Sequence, residues 1–246
     1  MRGLLTLTWL EIKIFLREPL GVIGTIGLPV LLFVVLGRIG ARASNPRAVP
    51  ALLAGDLPVF AAVMVAMGAM VSLVSVIAIY REGGILKRLR ATPLRSTTIL
   101  LAHVLVKLIF TAVSLGLLVA VGVRSFGPAG DAPLLSFAVA LLFTTLCLLS
   151  VGFVVASVVP TARFAQPLAT LVVYAMLGLS GLFVAVERMP EPAQAVARIV
   201  PLTYAVSLLR GVWRGEGWLA HGMEIAVLSL MFAGLTVVAG RVFRWE

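Results

Sequence analysis

The sequence predicts an all-α integral membrane protein with six transmembrane helices, and three observations support this prediction. Of the 246 residues, 61% are hydrophobic and only 12% are charged, whereas a soluble domain carries about 25% charged residues. The mean hydropathy is +1.13. The apolar residues gather into six blocks that approach the roughly 20 residues a membrane-spanning helix needs. Together these observations exclude a water-soluble enzyme.

The six blocks leave no stretch that could fold as a soluble domain, so residues 1–246 are predicted to form a single transmembrane domain. An N-terminal interfacial helix and a short cytoplasmic helix complete the fold that the residues themselves predict. The predicted spans are 20–37, 57–80, 98–123, 134–158, 164–186 and 222–242.

Basic residues predict the orientation of the chain. Five of them lie in the 17-residue loop 81–97, and such loops remain in the cytoplasm. The predicted cytoplasmic segments contain ten basic residues in total and the outer segments contain eight. Because these totals differ little, the orientation is assigned from the high density of basic residues in loop 81–97. The net charge of +10 suits an anionic inner leaflet. We therefore expect a multi-pass protein of the cell inner or plasma membrane with both termini in the cytoplasm.

The first 19 residues are predicted to form an interfacial helix along the inner leaflet. Polar residues lie within about 60° of one another at helical spacing, and Trp9 lies beside them at headgroup depth. Pro19 ends the helix. The alternative is a polar extension of the first span. The polar residues of this face are Arg2, Thr6, Lys13 and Arg17.

Few ionisable residues lie within the predicted spans. Lys107 and His103 share a face of the third span, and Lys107 either reaches back toward the cytoplasm or faces a water-filled cavity. Glu224 is predicted to be interfacial. An alternative function is therefore an ATP-independent, ion-coupled transporter or channel that uses Lys107 or Glu224.

The sequence predicts that this chain catalyses no covalent reaction. It has one cysteine and two histidines, too few for a metal cluster, and no pairing of nucleophile and base for an intramembrane enzyme. It also lacks the glycine-rich phosphate-binding motif that ends in Lys-Ser or Lys-Thr. The sequence therefore predicts no enzyme, no metal and no nucleotide site of its own.

Two spans carry rows of residues that point to a helix contact or a pathway. The fifth span has polar residues at i, i+4 and i+8, a spacing that places them on one face away from lipid. The second span has a methionine at every third position, which is more typical of packing than of ligand binding. The polar row is Gln166, Thr170 and Tyr174, and the methionine row is Met64, Met67 and Met70.

The segment 83–93 is predicted to be a short cytoplasmic helix. Gly83 and Gly84 end the second span, and Pro93 stops the short helix at Thr92. From the residues alone, this helix suits a groove on a partner and equally suits an ordinary basic anchor. Its apolar face comprises Ile85, Leu86 and Leu89. Its other faces carry Lys87, Arg88 and Arg90.

The residues 81–94, Arg-Glu-Gly-Gly-Ile-Leu-Lys-Arg-Leu-Arg-Ala-Thr-Pro-Leu, resemble the signature of the type-2 ABC exporter permeases, a group that includes the daunorubicin-resistance membrane subunits. A second stretch is similar to the region that precedes the last span in that family. It comprises Leu179–Phe183, Met189-Pro190, Pro201–Tyr204 and Arg210.

The resemblance implies a half-transporter. Two permease chains, identical or similar, would pair with two cytoplasmic ABC ATPase subunits that bind MgATP, and this chain would bind no cofactor. The segment Gly83–Pro93 would be the coupling helix, with Glu82 near the contact. The second and fifth spans would line the substrate route. This supports a pathway role for the polar row, and it supports such a role less strongly for the methionine row.

The resemblance also implies that residues 187–221 form outer re-entrant helices, with a motif of Pro190, Pro201, Tyr204 and Arg210. The prolines break this segment into short apolar pieces, and turns at membrane depth must be covered by protein. The alternative is an ordered loop on the outer surface. The expected function is export of an amphipathic substrate: a drug, an antibiotic, a lipid or a lipid-linked glycan.

Overall fold

The computed structural model describes residues 2–17, 22–41, 56–84, 96–126, 133–159 and 161–242. These residues form helices and turns and contain no strand, which confirms the all-α prediction. The α-helices are α1 (Arg2–Arg17), α2 (Leu28–Ala41), α3 (Leu57–Val65), α4 (Ser72–Glu82), α5 (Ser96–Phe126), α6 (Leu134–Val158), α7 (Ala162–Leu179), α8 (Glu191–Ala197), α9 (Pro201–Trp213) and α10 (Gly222–Val242).

Shorter helical pieces join some of these elements. A π-helical segment, Ala66–Val71, connects α3 to α4, so the three pieces form one apolar helix over Leu57–Glu82. A second π-helical segment, Ile23–Gly27, precedes α2. The 3-10 turns Val186–Arg188 and Trp218–His221 precede α8 and α10.

Five helices of the described chain are long and apolar enough to cross a membrane. The block predicted as the first span, 20–37, overlaps a shorter apolar helix, Pro29–Ile39. This arrangement confirms a multi-pass membrane protein. The five helices are Leu57–Glu82, Thr98–Ser125, Leu134–Val158, Ala162–Leu179 and Trp218–Arg241.

The fifth predicted span, 164–186, differs from the helix in the structure. The helix begins at Ala162 and ends at Leu179. Gly181 follows in a left-handed conformation with φ +78°, which glycine adopts freely and which stops a helix. The apolar residues after Gly181 therefore prolong the hydrophobic pattern without prolonging the helix.

Helix α6 lies at the centre of the bundle, packed against α4, α5, α9 and α10. It is apolar on most faces, and its buried hydroxyls bond to its own backbone. Thr145, for example, donates to the Leu141 carbonyl at 2.6 Å. Helix α10 covers α6 on one side and exposes large apolar side chains on the other, as expected for a helix that faces lipid.

Helices α8 and α9 form a bent pair with an angle of 79° between them. Pro201 starts α9 and Val200 before it is extended, because a proline disfavours helix at the preceding residue. Most of one face of α9 is buried against α3, α6 and α10. Helix α9 is therefore a packed part of the bundle, whereas α8 buries only Ala197.

Candidate functional site

Two consecutive residues at the end of α4 hold the end of α6 and the start of α7. The Arg81 guanidinium donates hydrogen bonds to the carbonyl oxygens of Ala156, at 3.5 Å, and of Val159, at the end of α6. Glu82 Oε2 accepts a hydrogen bond from the N–H of Ala162, the first residue of α7, at 2.8 Å. We call Arg81 and Glu82 with these contacts the α4 clamp.

The charges of the α4 clamp match the helix dipoles they meet. The Arg81 cation lies at the C-terminus of α6, and the Glu82 carboxylate lies at the N-terminus of α7. Both positions are electrostatically favourable, and each also supplies a partner to a backbone group that the helix leaves unpaired. The clamp therefore ties the end of the second span to the start of the fifth.

The predicted coupling helix begins directly after the clamp. Gly83 and Gly84 form the turn that ends α4, and Gly84 has φ +65°, which favours glycine. The remaining residues predicted for this helix lie outside the described part of the chain: Ile85, Leu86, Lys87, Arg88, Leu89, Arg90, Thr92 and Pro93.

An open groove of about 450 Å³ lies along one face of α4. Its walls come from α1, the π-helical segment, α4 and α5, and Gln166 contributes from α7. Much of the lining is apolar, including Met67, Val71, Val76 and Ile79. We call this space the α4 groove, and its volume is typical of a small-molecule site.

One end of the α4 groove carries a hydrogen-bonded carboxylate from α1. The Tyr80 hydroxyl donates to Glu11 Oε1 at 2.7 Å. The other oxygen, Glu11 Oε2, lies 3.8 Å from His103 Nδ1. The Tyr80 and His103 rings contact each other with centroids 5.4 Å apart. Glu11 is therefore held by side chains of both α4 and α5.

Lys107 lies in the same groove, one helical turn beyond His103. It is 9% exposed. Its ammonium group donates to the Ser72 hydroxyl and lies 5.4 Å from the centroid of the Phe15 ring. Of the two positions left open by the sequence, the structure favours the one facing a cavity.

The polar row predicted on α7 is only partly buried. Gln166 and Tyr174 are exposed, and Thr170 is half-buried. Of the three, Gln166 lines the α4 groove. Tyr174 is 59% exposed, and Leu171 beside it is 66% exposed. The row thus follows an open face of α7 that begins at the groove.

The methionine row divides between the core and the groove. Met64 and Met70 are buried, and Met70 belongs to the main apolar core. Met67 lines the α4 groove. The row therefore contributes mostly to packing, which is the interpretation that its spacing alone favours.

Arg210, from the predicted outer motif, joins three elements at the opposite end of the bundle from the clamp. Its Nη1 donates to the carbonyl oxygen of Gly181, just beyond α7, at 3.2 Å. Its Nε lies 3.4 Å from Asp56 Oδ2, directly before α3. We call Arg210, Asp56 and Gly181 the Arg210 junction.

The other residues of that motif shape α8 and α9. Pro190 precedes α8, and the buried Pro201 starts α9. The Tyr204 hydroxyl donates to the Arg198 carbonyl at 2.7 Å, across the bend between the two helices. These contacts position α9 so that Arg210 reaches both Gly181 and Asp56.

Next to the Arg210 junction, a polar pocket of about 390 Å³ surrounds His221. Glu216 Oε2 lies 3.0 Å from His221 Nε2, without the alignment of a hydrogen bond. Glu224 lies 3.6 Å from Nδ1 and accepts a hydrogen bond from Ser207 at 2.9 Å. Among the described residues, no group of three or more His, Cys, Asp or Glu is arranged to hold a metal.

A family model described as ABC-2 type transporter matches residues 2–213. The chain belongs to this family. The match begins with α1 and extends to the end of α9, so it contains the α4 clamp, the α4 groove and the Arg210 junction. No curated protein matches the chain.

Membership of the ABC-2 family identifies the chain as the permease component of an ABC transporter. Permeases of this family are membrane components that generally lack a catalytic site and typically work with ATPase subunits.

Sequence reasoning missed the partners of several functional side chains. Glu11 lies within the predicted N-terminal helix, where a carboxylate next to apolar residues is a signal for a buried partner. Asp56 was not assigned at all, although it directly precedes Leu57 at the start of a span. Neither pairing could be derived, because the partners are distant in sequence.

Proposed function

We propose that this chain is the permease subunit of an ABC exporter that moves an amphipathic substrate outward. The energy would come from MgATP hydrolysed by two separate cytoplasmic ATPase subunits. The observation that carries this proposal is the α4 clamp, which connects the predicted coupling helix to α7 through charged hydrogen bonds.

The clamp offers a mechanical path from the ATPase to the substrate route. Closure of the two ATPases would displace the segment Gly83–Pro93. Because Arg81 and Glu82 directly precede this segment, the displacement would reach the end of α6 and the start of α7. Gln166 lies one turn inside α7 and lines the α4 groove, so movement of the α7 terminus would reshape the groove.

The groove and the open face of α7 support an amphipathic substrate. The groove combines apolar walls with polar groups from Glu11, Tyr80, His103 and Lys107. The exposed face of α7 carries Tyr174 among apolar residues. A second permease chain, most simply a copy of this one, would cover that face and complete a route between the two chains.

The proposed orientation follows the basic loop 81–97. It places the clamp and both termini in the cytoplasm, and it places α8, α9 and the Arg210 junction at the outer face. There the bent pair would act as the outer re-entrant element that closes the route.

The first experiment is affinity purification of the tagged chain from its native membranes in mild detergent. We expect ABC ATPase subunits to co-purify in a 1:1 ratio with the permease, and the double variant Arg88→Glu/Arg90→Glu to release them. The matched control is Arg188→Glu/Arg198→Glu, which reverses two exposed charges on either side of α8. The control should insert normally and retain the ATPase.

A permease that purifies without an ATPase, in several detergents and in nanodiscs, would contradict the proposal. Retained ATP-driven transport after deletion of residues 83–93 would contradict the coupling role in particular. In either case, transport in proteoliposomes driven by a proton or sodium gradient, and lost in Lys107→Ala or Glu224→Ala, would favour the ion-coupled alternative.

A further inference from the structure

The ammonium group of Lys107 is the most unusual charge in the described membrane-spanning helices. It is 9% exposed and lies in α5, about 14 Å along the helix from Thr98. A buried charge is costly unless an opposite charge or several hydrogen bonds compensate it. Among the described residues, it contacts the Ser72 hydroxyl and the Phe15 ring, which are both neutral. The Glu11 carboxylate of α1 also attracts it electrostatically.

The nearest candidate counter-charge on α1 already has partners. Glu11 accepts a hydrogen bond from Tyr80 at 2.7 Å and lies 3.8 Å from His103 Nδ1. These two contacts involve both of its oxygens. Lys107 and Glu11 attract each other electrostatically. In the described part of the chain, however, Glu11 accepts its hydrogen bond from Tyr80, and Lys107 donates its hydrogen bond to Ser72.

Resting on the function proposed above, we propose that Lys107 and Ser72 bind the anionic headgroup of the transported amphiphile, a phosphate or a carboxylate. Ser72 accepts a hydrogen bond from Lys107, which leaves its own hydroxyl hydrogen to donate to a headgroup oxygen. A single oxyanion would then receive one charged and one neutral donor, an arrangement that favours anions over neutral groups.

The rest of the α4 groove suits the apolar part of such a molecule. Met67, Val71, Val76 and Ile79 line it along the α4 side, and Ile14 contributes from α1. A cavity of about 450 Å³ holds a headgroup and the first part of an acyl or isoprenoid chain. The groove is open, so the remaining chain can extend into lipid.

The competing ligand is an amphiphile with a cationic headgroup held by Glu11. The structure favours the anion because Glu11 already accepts the Tyr80 hydrogen bond and has His103 at 3.8 Å. The Lys107 ammonium has three donors, and Ser72 accepts one of them among the described residues. The two possibilities make opposite predictions for substitutions at Glu11 and Lys107.

The test measures binding of dodecyl phosphate to the full-length chain in nanodiscs of neutral phosphatidylcholine, by native mass spectrometry. We expect saturable binding that is at least about tenfold weaker in Lys107→Gln, a loss typical of a charged hydrogen bond. Ser72→Ala should weaken binding a few-fold, and Lys107→Arg should largely retain it. Glu11→Gln should leave binding unchanged or tighter.

The matched control is Lys13→Gln. Lys13 is an exposed lysine of α1 whose ammonium lies over the Trp9 ring, so its removal should not change the affinity. Dodecyltrimethylammonium and dodecyl maltoside, with the same alkyl chain, should bind at least about tenfold more weakly than dodecyl phosphate. Inorganic phosphate alone should also bind weakly, because the apolar contacts contribute most of the affinity.

Several results would overturn the assignment. One is equal binding of the three dodecyl probes, and another is tighter binding of the ammonium probe that is lost in Glu11→Gln. The others are unchanged binding of dodecyl phosphate in Lys107→Gln and binding of inorganic phosphate as tight as that of dodecyl phosphate. The measurement needs no ATPase and no transport. A failure of headgroup binding is thus separable from a failure of the ABC exporter function.

Discussion

The two ends of α7 are held by the same kinds of group in different arrangements. At its N-terminus, the α4 clamp uses two neighbouring residues of one helix, which contact α6 and α7. Beyond its C-terminus, the Arg210 junction uses one arginine, which meets Gly181 and Asp56 from different parts of the chain. The middle of α7 exposes an open face between these two attachments.

This difference shows which end can transmit movement and which can resist it. The clamp lies next to the predicted coupling helix, and its carboxylate Glu82 is exposed, so its bonds can rearrange at low cost. The Arg210 junction connects three elements, and its charged side chains are 22% and 28% exposed. We therefore expect the junction to act as a fixed pivot and the clamp as the moving contact.

The largest expected effect is loss of the pivot in Arg210→Met. Methionine keeps much of the apolar stem but leaves Asp56 half-buried without its cation, and it removes the bond to Gly181. We expect the free energy of unfolding to fall by about 3 kcal/mol, or about 9 °C in thermal unfolding in detergent.

The control for Arg210→Met is its neighbour Arg214, whose side chain is 68% exposed and 3.9 Å from Glu216. Arg214→Met should shift the unfolding temperature by less than about 3 °C. Equal shifts in the two variants would mean that Arg210 is not a pivot.

A second substitution tests how closely α9 must approach the turn before α10. A Cβ built on Gly211 would collide with the buried His221 ring. We expect Gly211→Ala to cost about 2 kcal/mol, because overpacking of up to about 3 kcal/mol is only partly offset by the better helix propensity of alanine. Thermal unfolding in detergent measures this loss of stability.

The collision can be checked by a double-mutant cycle. In a His221→Ala background, Gly211→Ala should cost nothing. Gly116→Ala, in α5 where nothing lies within 4 Å of the new Cβ, should be neutral or stabilising. A cost that persists without the His221 ring would exclude this contact as the cause.

The clamp is tested by Glu82→Ala, which removes the acceptor of the Ala162 N–H. We expect a loss of only about 1 kcal/mol in stability, the usual value of a helix N-terminal cap, but a several-fold fall in transport per ATP hydrolysed in proteoliposomes. Glu82→Gln keeps an oxygen acceptor and should retain more of the coupling.

The control for Glu82→Ala is Glu191→Ala, an exposed acidic residue at the start of α8. It should leave the coupling ratio unchanged. Unchanged coupling in Glu82→Ala, at normal expression, would mean that movement does not pass through the clamp.

The helices were predictable because a membrane requires long apolar segments with internally bonded backbones. For α6 and α10, the hydrophobic block and the helix coincide. The end of α7 was not predictable in this way. Hydropathy continues through residue 186, and it is the left-handed conformation of Gly181 that stops the helix.

The candidate site was predictable only in its local parts. The motif around Glu82 and the residue Arg210 stand out in the sequence, and both form contacts between elements. Their partners could not be read from it, because the pair Asp56 and Arg210 depends on how α3, α7 and α9 meet. In the same way, helical spacing places Lys107 and His103 on one face, but only the packing of α1 brings Glu11 next to them.

The smallest expected effect concerns the pH dependence of the pivot. Burial raises the pKa of Asp56 above its ordinary value of 3.8, although the Arg210 cation beside it acts in the opposite direction. A raised folded-state pKa stabilises the fold below the unfolded pKa. This contribution is lost as the pH rises through the folded pKa.

Asp56→Asn removes this titration, because asparagine resembles the protonated acid at every pH. We compare the unfolding temperatures of the wild type and Asp56→Asn at the same pH. The wild type should be more stable relative to the variant at about pH 4 than at about pH 7. The substitution should also cost far less than Arg210→Met, since Arg210 keeps its bond to Gly181. The opposite pH trend would mean that attraction to Arg210 outweighs the burial of Asp56, and that the pivot is strengthened by its ion pair rather than merely tolerating it.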